Sequence, residues 1–338
     1  MSDVRVGFIG SGFARRVQLP GLALVPGTKP IAIASGHRAN AEAVARDFQL
    51  PLVFDDGIAL ARSPDVDLVI VSSTPDSHAR FAIAALEAGK HVLCEKPMAI
   101  DSFEAAQMVA ASEQHPDSIA WLDHELRFEP TRRRVRELIR SNALGELRHI
   151  ELSLKPYLRG DGRPQTSDAP WTWWSDASRG GGILGAVGSH LIDLCRFWSG
   201  SEIRYVAGLA ETFNRQRTDE AGQPRPVTAD DFASCVLQTA TGVDATITLS
   251  TVAHHGPGHL GQVTGSEGTL VLSGETKLEF GKSGGPLEDI SAQDDLWERT
   301  KPNNMWARSF VRLMREMVHV ISGGAPRGEP ATFRDGWQ

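Results

Sequence analysis

Cysteine is scarce: Cys94, Cys195 and Cys235 are the only three, and they lie far apart. An odd number at such spacing excludes a disulfide framework and offers no zinc-binding pattern, so reduced, buried thiols are expected. Positive charge is also in deficit, with 35 Lys and Arg against 42 Asp and Glu and a formal net charge of -7. A nucleic-acid surface needs the opposite balance, because cations must replace the counterions of the phosphates. No apolar run approaches the roughly 18 residues that cross a bilayer. Met1-Ser2-Asp3 leads directly into an apolar stretch with no basic head and no cleavable apolar segment. A cytoplasmic location and no membrane partner are therefore expected. No internal repeat is present.

What remains is an ordinary globular composition, 41% apolar and 23% charged, in 338 residues, enough for two domains. The first third alternates short apolar runs with amphipathic stretches. Strands are expected at Val4–Ile9, 31–34, 67–71, His91–Cys94 and 119–122, with helices at Arg38–Phe48, 77–88 and 102–113. Gly89 marks a helix stop. Strands that are apolar throughout and alternate with helices imply a parallel sheet covered on both faces. The expectation is an α/β fold: an N-terminal doubly wound (Rossmann) domain over residues 1–126, followed by a second domain over 127–338.

The second half is patterned differently. A helix is expected over 131–141 and another over Met305–Ile321, while 246–250 and, less cleanly, 231–237 alternate apolar and polar residues. Alternation buries one face and leaves the other open, which is antiparallel behaviour. An α+β domain is expected, with an open, mostly antiparallel sheet, helices on one face, and Thr and Ser on the other. The stretch 156–179 is long and rich in tryptophan, and loops of that length usually serve a function or are disordered; its tryptophans argue against disorder. The charged stretch 215–226 reads as a mobile surface loop.

Three features carry chemistry. The first is Gly10-Ser11-Gly12-Phe13-Ala14 after the first strand, where glycine lets the backbone approach a pyrophosphate that meets a helix N-terminus. Its third small position is taken by Arg15, with Ala14 one place earlier, so the motif is degenerate; the alternative is a tight turn without a ligand. After the second strand stand Ser35, Gly36, His37 and Arg38, with no carboxylate to bind a ribose 2′-hydroxyl. Ser35, His37 and Arg38 suit a 2′-phosphate, so NADP is favoured, with NAD possible. The alternative is an Arg38 that only caps the next helix.

The second feature is Glu95-Lys96-Pro97 after the His91–Cys94 strand, at the sheet's carboxyl end, where doubly wound folds bind ligands. A lysine there can polarise or deprotonate a substrate hydroxyl; a surface lysine paired with Glu95 is the plainer alternative. The third is His190, eight residues after Gly180-Gly181-Gly182, in Gly188-Ser189-His190-Leu191-Ile192-Asp193. Histidine titrates near neutrality and suits the proton transfer that accompanies hydride transfer. His190 and Asp193 share one side of a helix; a core histidine satisfied by a backbone partner is the alternative.

Other features are less pointed. His254, His255 and His259 cluster around Gly256-Pro257-Gly258, but no Cys, Asp or Glu completes a metal set, so no metal is expected. Trp171, Trp173 and Trp174 either stack on a sugar or anchor their loop. Arg132, Arg133, Arg134 and Arg136 read as a solvated helix face.

Taken together, the Gly10 loop, Thr74-Pro75 with His78, Glu95-Lys96-Pro97, Arg127-Phe128, Gly145, Gly180-Gly181-Gly182, Gly188, His190 and Asp193 resemble the Gfo/Idh/MocA oxidoreductases along nearly the whole chain. The resemblance implies a Rossmann domain and a sheet domain that supports a homodimer or homotetramer. It also implies NAD(P)-dependent oxidation or reduction of a sugar, cyclitol or related polyhydroxy compound. Lys96 and His190 would be catalytic, over the nicotinamide with substrate between them, and Asp193, Arg127 and Trp173 would serve the substrate. Thr74, Pro75, His78, Glu95 and Lys96 would join the glycine loop around the cofactor. Ala186 stands where many members have an aspartate four residues before the histidine, and Gln18 replaces a frequent histidine. Ala186 keeps open a non-catalytic dinucleotide-binding regulator. Some members are redox-assisted glycosidases or eliminases, a third alternative.

Overall fold

Six short strands, β1 (Val4–Ile9), β2 (Thr28–Ala34), β3 (Leu52–Phe54), β4 (Leu68–Val71), β5 (His91–Cys94) and β6 (Ala120–Leu122), form a parallel sheet in the order β3-β2-β1-β4-β5-β6. The computed structural model describes residues 3–155 and 169–338. Between the strands run α1 (Leu19–Leu22), α2 (Arg38–Phe48), α3 (Gly57–Ala61), α4 (His78–Glu87) and α5 (Ser102–Gln114). All four residues of β4 are buried, as a sheet covered on both faces requires. One apolar cluster packs Leu86, Met108 and Phe81 on one face; another packs Phe8, Ile33 and Ile70 on the other. Local signals end and start the helices: Gly89 takes φ +72° after α4, and the Asp101 carboxylate accepts the Glu104 N–H at 2.8 Å to cap α5. The strand order reverses between β1 and β4, so the loops after β1, β4 and β5 gather at the sheet's carboxyl end, where such folds take ligands.

Residues 130–294 form a separate unit. It contains α6 (Pro130–Arg140), β7 (Leu147–Lys155), α7 (Ser189–Ser199), β8 (Ile203–Glu211), β9 (Gln216–Thr218), β10 (Pro224–Pro226), β11 (Phe232–Thr239), β12 (Asp244–Ser250), β13 (Gly258–Gly265), β14 (Gly268–Ser273), β15 (Lys277–Lys282) and β16 (Glu288–Asp289). Eight strands make one mixed sheet in the order β16-β15-β14-β13-β7-β12-β11-β8; every pair is antiparallel except β7 with β12. Ala245, Ile247 and Leu249 alternate inward from β12, while α7 packs against β7 and β12. The opposite face stays open: Tyr205, Leu209 and Val236 are exposed beside Thr246 and Thr248.

Two expectations need correction. The stretch 215–226 is no loose loop, because β9 and β10 pair as a two-stranded antiparallel ribbon. The domain division also differs. The first unit runs to Glu129 and takes back residues 295–338, which the sequence had assigned to the second domain. The returning segment holds α8 (Met305–Ile321) and α9 (Phe333–Trp337). On α8, Phe310, Val311, Leu313, Met314 and Met317 are fully buried among Leu19, Leu22 and Phe128 of the same unit. At about 1.5–3 kcal/mol for each large apolar side chain, this contact is a substantial part of that core. Periodicity marks α8 as amphipathic but does not say which core its apolar stripe enters. No helix among the described residues is long and apolar enough to cross a membrane.

Candidate active site

Gly10 follows β1 at φ +114°, and a Cβ there would lie 2.3 Å from the Ser72 carbonyl oxygen. Only glycine fits, because the loop runs against the backbone that follows β4. Gly12 is different: a Cβ on it would meet nothing within 4 Å. That open side of the backbone is where a pyrophosphate needs room, so the loop fits a dinucleotide. Phe13 leads into a π-helical turn at Ala14–Gln18, a form often found at functional sites. Ala14 is fully buried and serves as the small residue of the motif, whereas Arg15 is exposed and pairs with Asp47. Ser11, Gly12, Arg15, Arg16, Asn40 and Val44 line a cavity of about 450 Å³ beside the loop.

At the end of β2, the Ser35 hydroxyl shares a hydrogen bond with that of Ser11 at 3.0 Å, and His37 is exposed just before α2. Arg38 forms ion pairs with Glu42, at 2.8 Å, and with Asp55. The sequence expectation of no carboxylate here is corrected: the β2–β3 register pairs Ala34 with Phe54, which brings Asp55, the next residue, beside Ser35.

After β5, Lys96 sits over a buried polar chain. The Ser72 hydroxyl donates to Gln18 Oε1 at 2.5 Å, and Gln18 Nε2 donates to Glu95 Oε1 at 2.9 Å. Glu95 Oε2 accepts the Lys96 N–H at 3.4 Å and lies 4.0 Å from Lys96 Nζ. Lys96 is thus a largely buried side chain beside a carboxylate, not a solvated one. Two further acids, Asp123 and Glu125, are buried in the segment after β6. Burial pushes Glu95, Asp123 and Glu125 above the usual carboxylate range; Glu125 reaches about 8, with the Glu95 charge adding to the rise and the Lys96 charge opposing it.

Thr74 and Pro75 open the turn after β4, and His78 fastens that turn to the lysine turn. Its Nδ1 lies 2.9 Å from the Pro97 carbonyl and its Nε2 3.1 Å from that of Ser73. Burial lowers the proton affinity of this ring, so a neutral His78 donates to one carbonyl at a time. Arg127, expected against substrate, donates instead to Asp335 Oδ1 at 2.9 Å and to the Glu329 carbonyl at 3.3 Å. It anchors the segment that carries α9.

In the second unit the glycine triplet has a structural cause. Gly180 takes φ +76° at the end of a 3-10 turn, a Cβ on Gly181 would lie 2.4 Å from the Trp173 carbonyl oxygen, and one on Gly182 would lie 2.1 Å from Asp230 Oδ1. Asp230 in turn accepts the Leu184 N–H at 2.8 Å. There a second π-helical turn, Leu184–Gly188, runs into α7. Ala186, His190 and Asp193 are all buried. Asp193 lies 3.9 Å from Arg196, which also bonds Glu202 at 2.6 and 2.8 Å.

The remaining features divide. Trp171 is an anchor: its N–H donates to Thr218 and its indole to Pro226 at 2.9 Å, tying it to the β9–β10 ribbon. Trp173 is half-buried, tilted 52° against Trp174 at 5.6 Å. Residues 156–168 of the tryptophan-rich stretch lie outside the described residues. The arginine run is not uniformly solvated. Arg132 is fully buried, bonding His259 Nδ1 at 2.7 Å and the Gly274 carbonyl at 3.3 Å. His259 is accordingly a buried residue of β13, while His254 and His255 are exposed. Among the described residues no group of three His, Cys, Asp or Glu side chains is placed to hold a metal. Gln18 was visible in the sequence only as a departure, and nothing in the sequence singled out Ser72, Asp55, Asp123 or Glu125.

Residues 4–124 match the oxidoreductase family with an NAD-binding Rossmann fold, and residues 132–271 match the GFO/IDH/MocA C-terminal domain. The chain belongs to the GFO/IDH/MocA oxidoreductase family. An uncharacterised oxidoreductase of Synechocystis sp. is 33% identical over 280 residues, covering 82% of this chain and 74% of the relative. Glucose-fructose oxidoreductase domain-containing protein 2 of Xenopus laevis is 30% identical over 350 residues, covering 98% and 87%. An oxidoreductase domain protein from Kribbella flavida superposes with a TM-score of 0.86 at 26% identity, over 100% of this chain and 94% of that one. Levoglucosan dehydrogenase, solved with NADH and L-sorbose, shares the fold at TM-score 0.87 and 22% identity, over 99% and 93%.

Proposed function

We propose that this oxidoreductase transfers hydride between a nicotinamide dinucleotide and a sugar, cyclitol or related polyhydroxy compound. The observation that carries the reading is the Ser72–Gln18–Glu95 chain, which delivers a largely buried lysine to the carboxyl end of the sheet that bears the glycine loop. A bound nicotinamide would supply the hydride acceptor or donor. The backbone around Gly12 would take its pyrophosphate. We assign Lys96 to orient and polarise the reacting oxygen and His190 to carry the proton, with Asp193 and Trp173 serving the substrate. The relative with L-sorbose bound supports a polyhydroxy substrate.

We favour NADP. Ser35, His37 and Arg38 follow β2, and Arg15 and Arg16 line the adjacent cavity, which supplies cationic partners for a 2′-phosphate. Against this stands Asp55, which already occupies Arg38. The exposed apolar face around Tyr205, Leu209 and Val236 supports assembly of a homodimer or homotetramer through the second unit's sheet.

The test is a panel of sugars and cyclitols with NADP and NAD, followed at the nicotinamide absorbance. Turnover of a member of the panel, lost at least 100-fold in Lys96→Met and in His190→Ala, is the expected result; full turnover in Lys96→Met refutes its assigned role. A second reading, a regulator that binds dinucleotide without turnover, is favoured by Ala186 and by the engagement of Asp193 with Arg196. Tight NADPH binding with no turnover on any member of the panel would support it.

A further inference from the structure

The acids beneath Lys96 are more numerous than one lysine needs. Asp123 is fully buried, and its backbone N–H donates to the Cys94 carbonyl at 2.7 Å, which fixes the residue beside the end of β5. Among the described residues no N–H or O–H group donates to either oxygen of its carboxyl. The group it meets is the Glu95 carboxyl, itself an acceptor. Two carboxylates cannot face each other in a dry interior without a proton between them, because neither solvent nor a donor offsets their repulsion. The other titratable groups facing Asp123 are Lys96 from the β5 turn, Glu125 on its own segment and the Cys94 thiol of β5. Glu95 already has a donor, Gln18, and the ammonium of Lys96 nearby, so the negative charge belongs on Glu95 and the proton on Asp123.

We propose that Asp123 is a positioning residue of the lysine site: it carries a proton in the resting protein and donates it to Glu95, which fixes one buried carboxylate in one orientation beside Lys96. The raised proton affinity that burial gives Asp123 agrees with this placement. The consequence is a charge count of one carboxylate to one ammonium, although two acids lie against each other there. An ionised Asp123 would add a second anion and turn Glu95 away. The role of Asp123 toward chemistry rests on the reading of Lys96 as catalytic; its protonation does not.

The experiment compares the full-length protein with Asp123→Asn and Asp123→Ala, each checked for native circular dichroism. Asparagine cannot ionise but still donates an N–H to Glu95; alanine does neither. The infrared difference spectrum of wild type minus Asp123→Asn at pH 7, in water and in D2O, is expected to show one deuterium-sensitive carboxylic acid carbonyl band, the protonated Glu125 carboxyl being common to both proteins and cancelling. The rate at which trace acetic anhydride labels Lys96, read by peptide mass spectrometry, is expected to stay within twofold of the wild type in Asp123→Asn and to change at least fivefold in Asp123→Ala. Absence of the band, equal effects of the two substitutions on labelling, or no effect of either overturns the proposal. Neither readout needs turnover. A fully active Lys96→Met would therefore remove the catalytic reading of the lysine and leave the Asp123 band in place.

Discussion

Gln18 Nε2 donates to Glu95 Oε1 across 77 positions of sequence, at 2.9 Å and out of contact with solvent. This bond links the helix that follows the glycine loop to the turn that presents Lys96. A hydrogen bond to a charged, buried acceptor contributes more than one between neutral groups, and its loss leaves the acceptor unsatisfied. Gln18→Leu is expected to lower unfolding free energy by about 2–3 kcal/mol in urea titrations. Gln18→His, which restores the residue frequent in the resembling family, is expected to recover most of that loss.

The two glycines of the dinucleotide loop should separate folding from binding. Gly10→Ala puts a methyl group against the Ser72 carbonyl at a φ of +114° and is expected to lower the melting temperature by several degrees. Gly12→Ala meets no protein atom, so its melting temperature should match the wild type. NADPH affinity, followed by fluorescence titration, is expected to fall at least tenfold in Gly12→Ala.

Asp55 competes with any 2′-phosphate for Arg38. Asp55→Asn removes one of the two carboxylates that hold the Arg38 guanidinium, Glu42 being the other, and is expected to raise NADPH affinity relative to NADH by about twofold to fivefold, as for an exposed ion pair. Arg38→Ala is expected to lower the same ratio. The ratio of the two dissociation constants reads the effect directly.

The Glu125 carboxyl binds its proton up to about pH 8 in the folded protein, while an unfolded chain releases it near 4.3. Between those values the folded state holds more protons than the unfolded one, so stability falls as pH rises. The slope from this group is at most about 1.4 kcal/mol per pH unit. Glu125→Gln cannot ionise. Its unfolding free energy relative to the wild type is expected to increase steadily from pH 5 to pH 8, measured in urea at fixed salt.

Much of the scaffold could be read in advance because it is local. β1, β5 and α8 fall at the expected residues, since apolar runs, helical spacing and glycine stops act within a few positions of themselves. What could not be read depends on register and on distant partners. Asp55 matters only because β3 lies beside β2 with Phe54 opposite Ala34. Arg132 looked like surface charge until β13 brought His259 to it. The partners that hold Arg127, Asp335 and Glu329, lie some two hundred residues away from it. Glu95 follows β5 and the acids around it, Asp123 and Glu125, come from the segment after β6, and no sequence spacing announces that they converge.

Residues 295–338 complete the first unit, and this imposes an order on biosynthesis. The dinucleotide fold is assembled from two separate segments of the chain, with the other unit inserted between them. A nascent chain that has emerged only to Glu129 would display Leu19, Leu22 and Phe128 without α8 to cover them. That unfinished surface must wait on the ribosome for more than 160 further residues, so a fragment cut after the sixth strand is expected to aggregate, whereas a direct splice of 129 to 295 offers a route to an isolated dinucleotide-binding module.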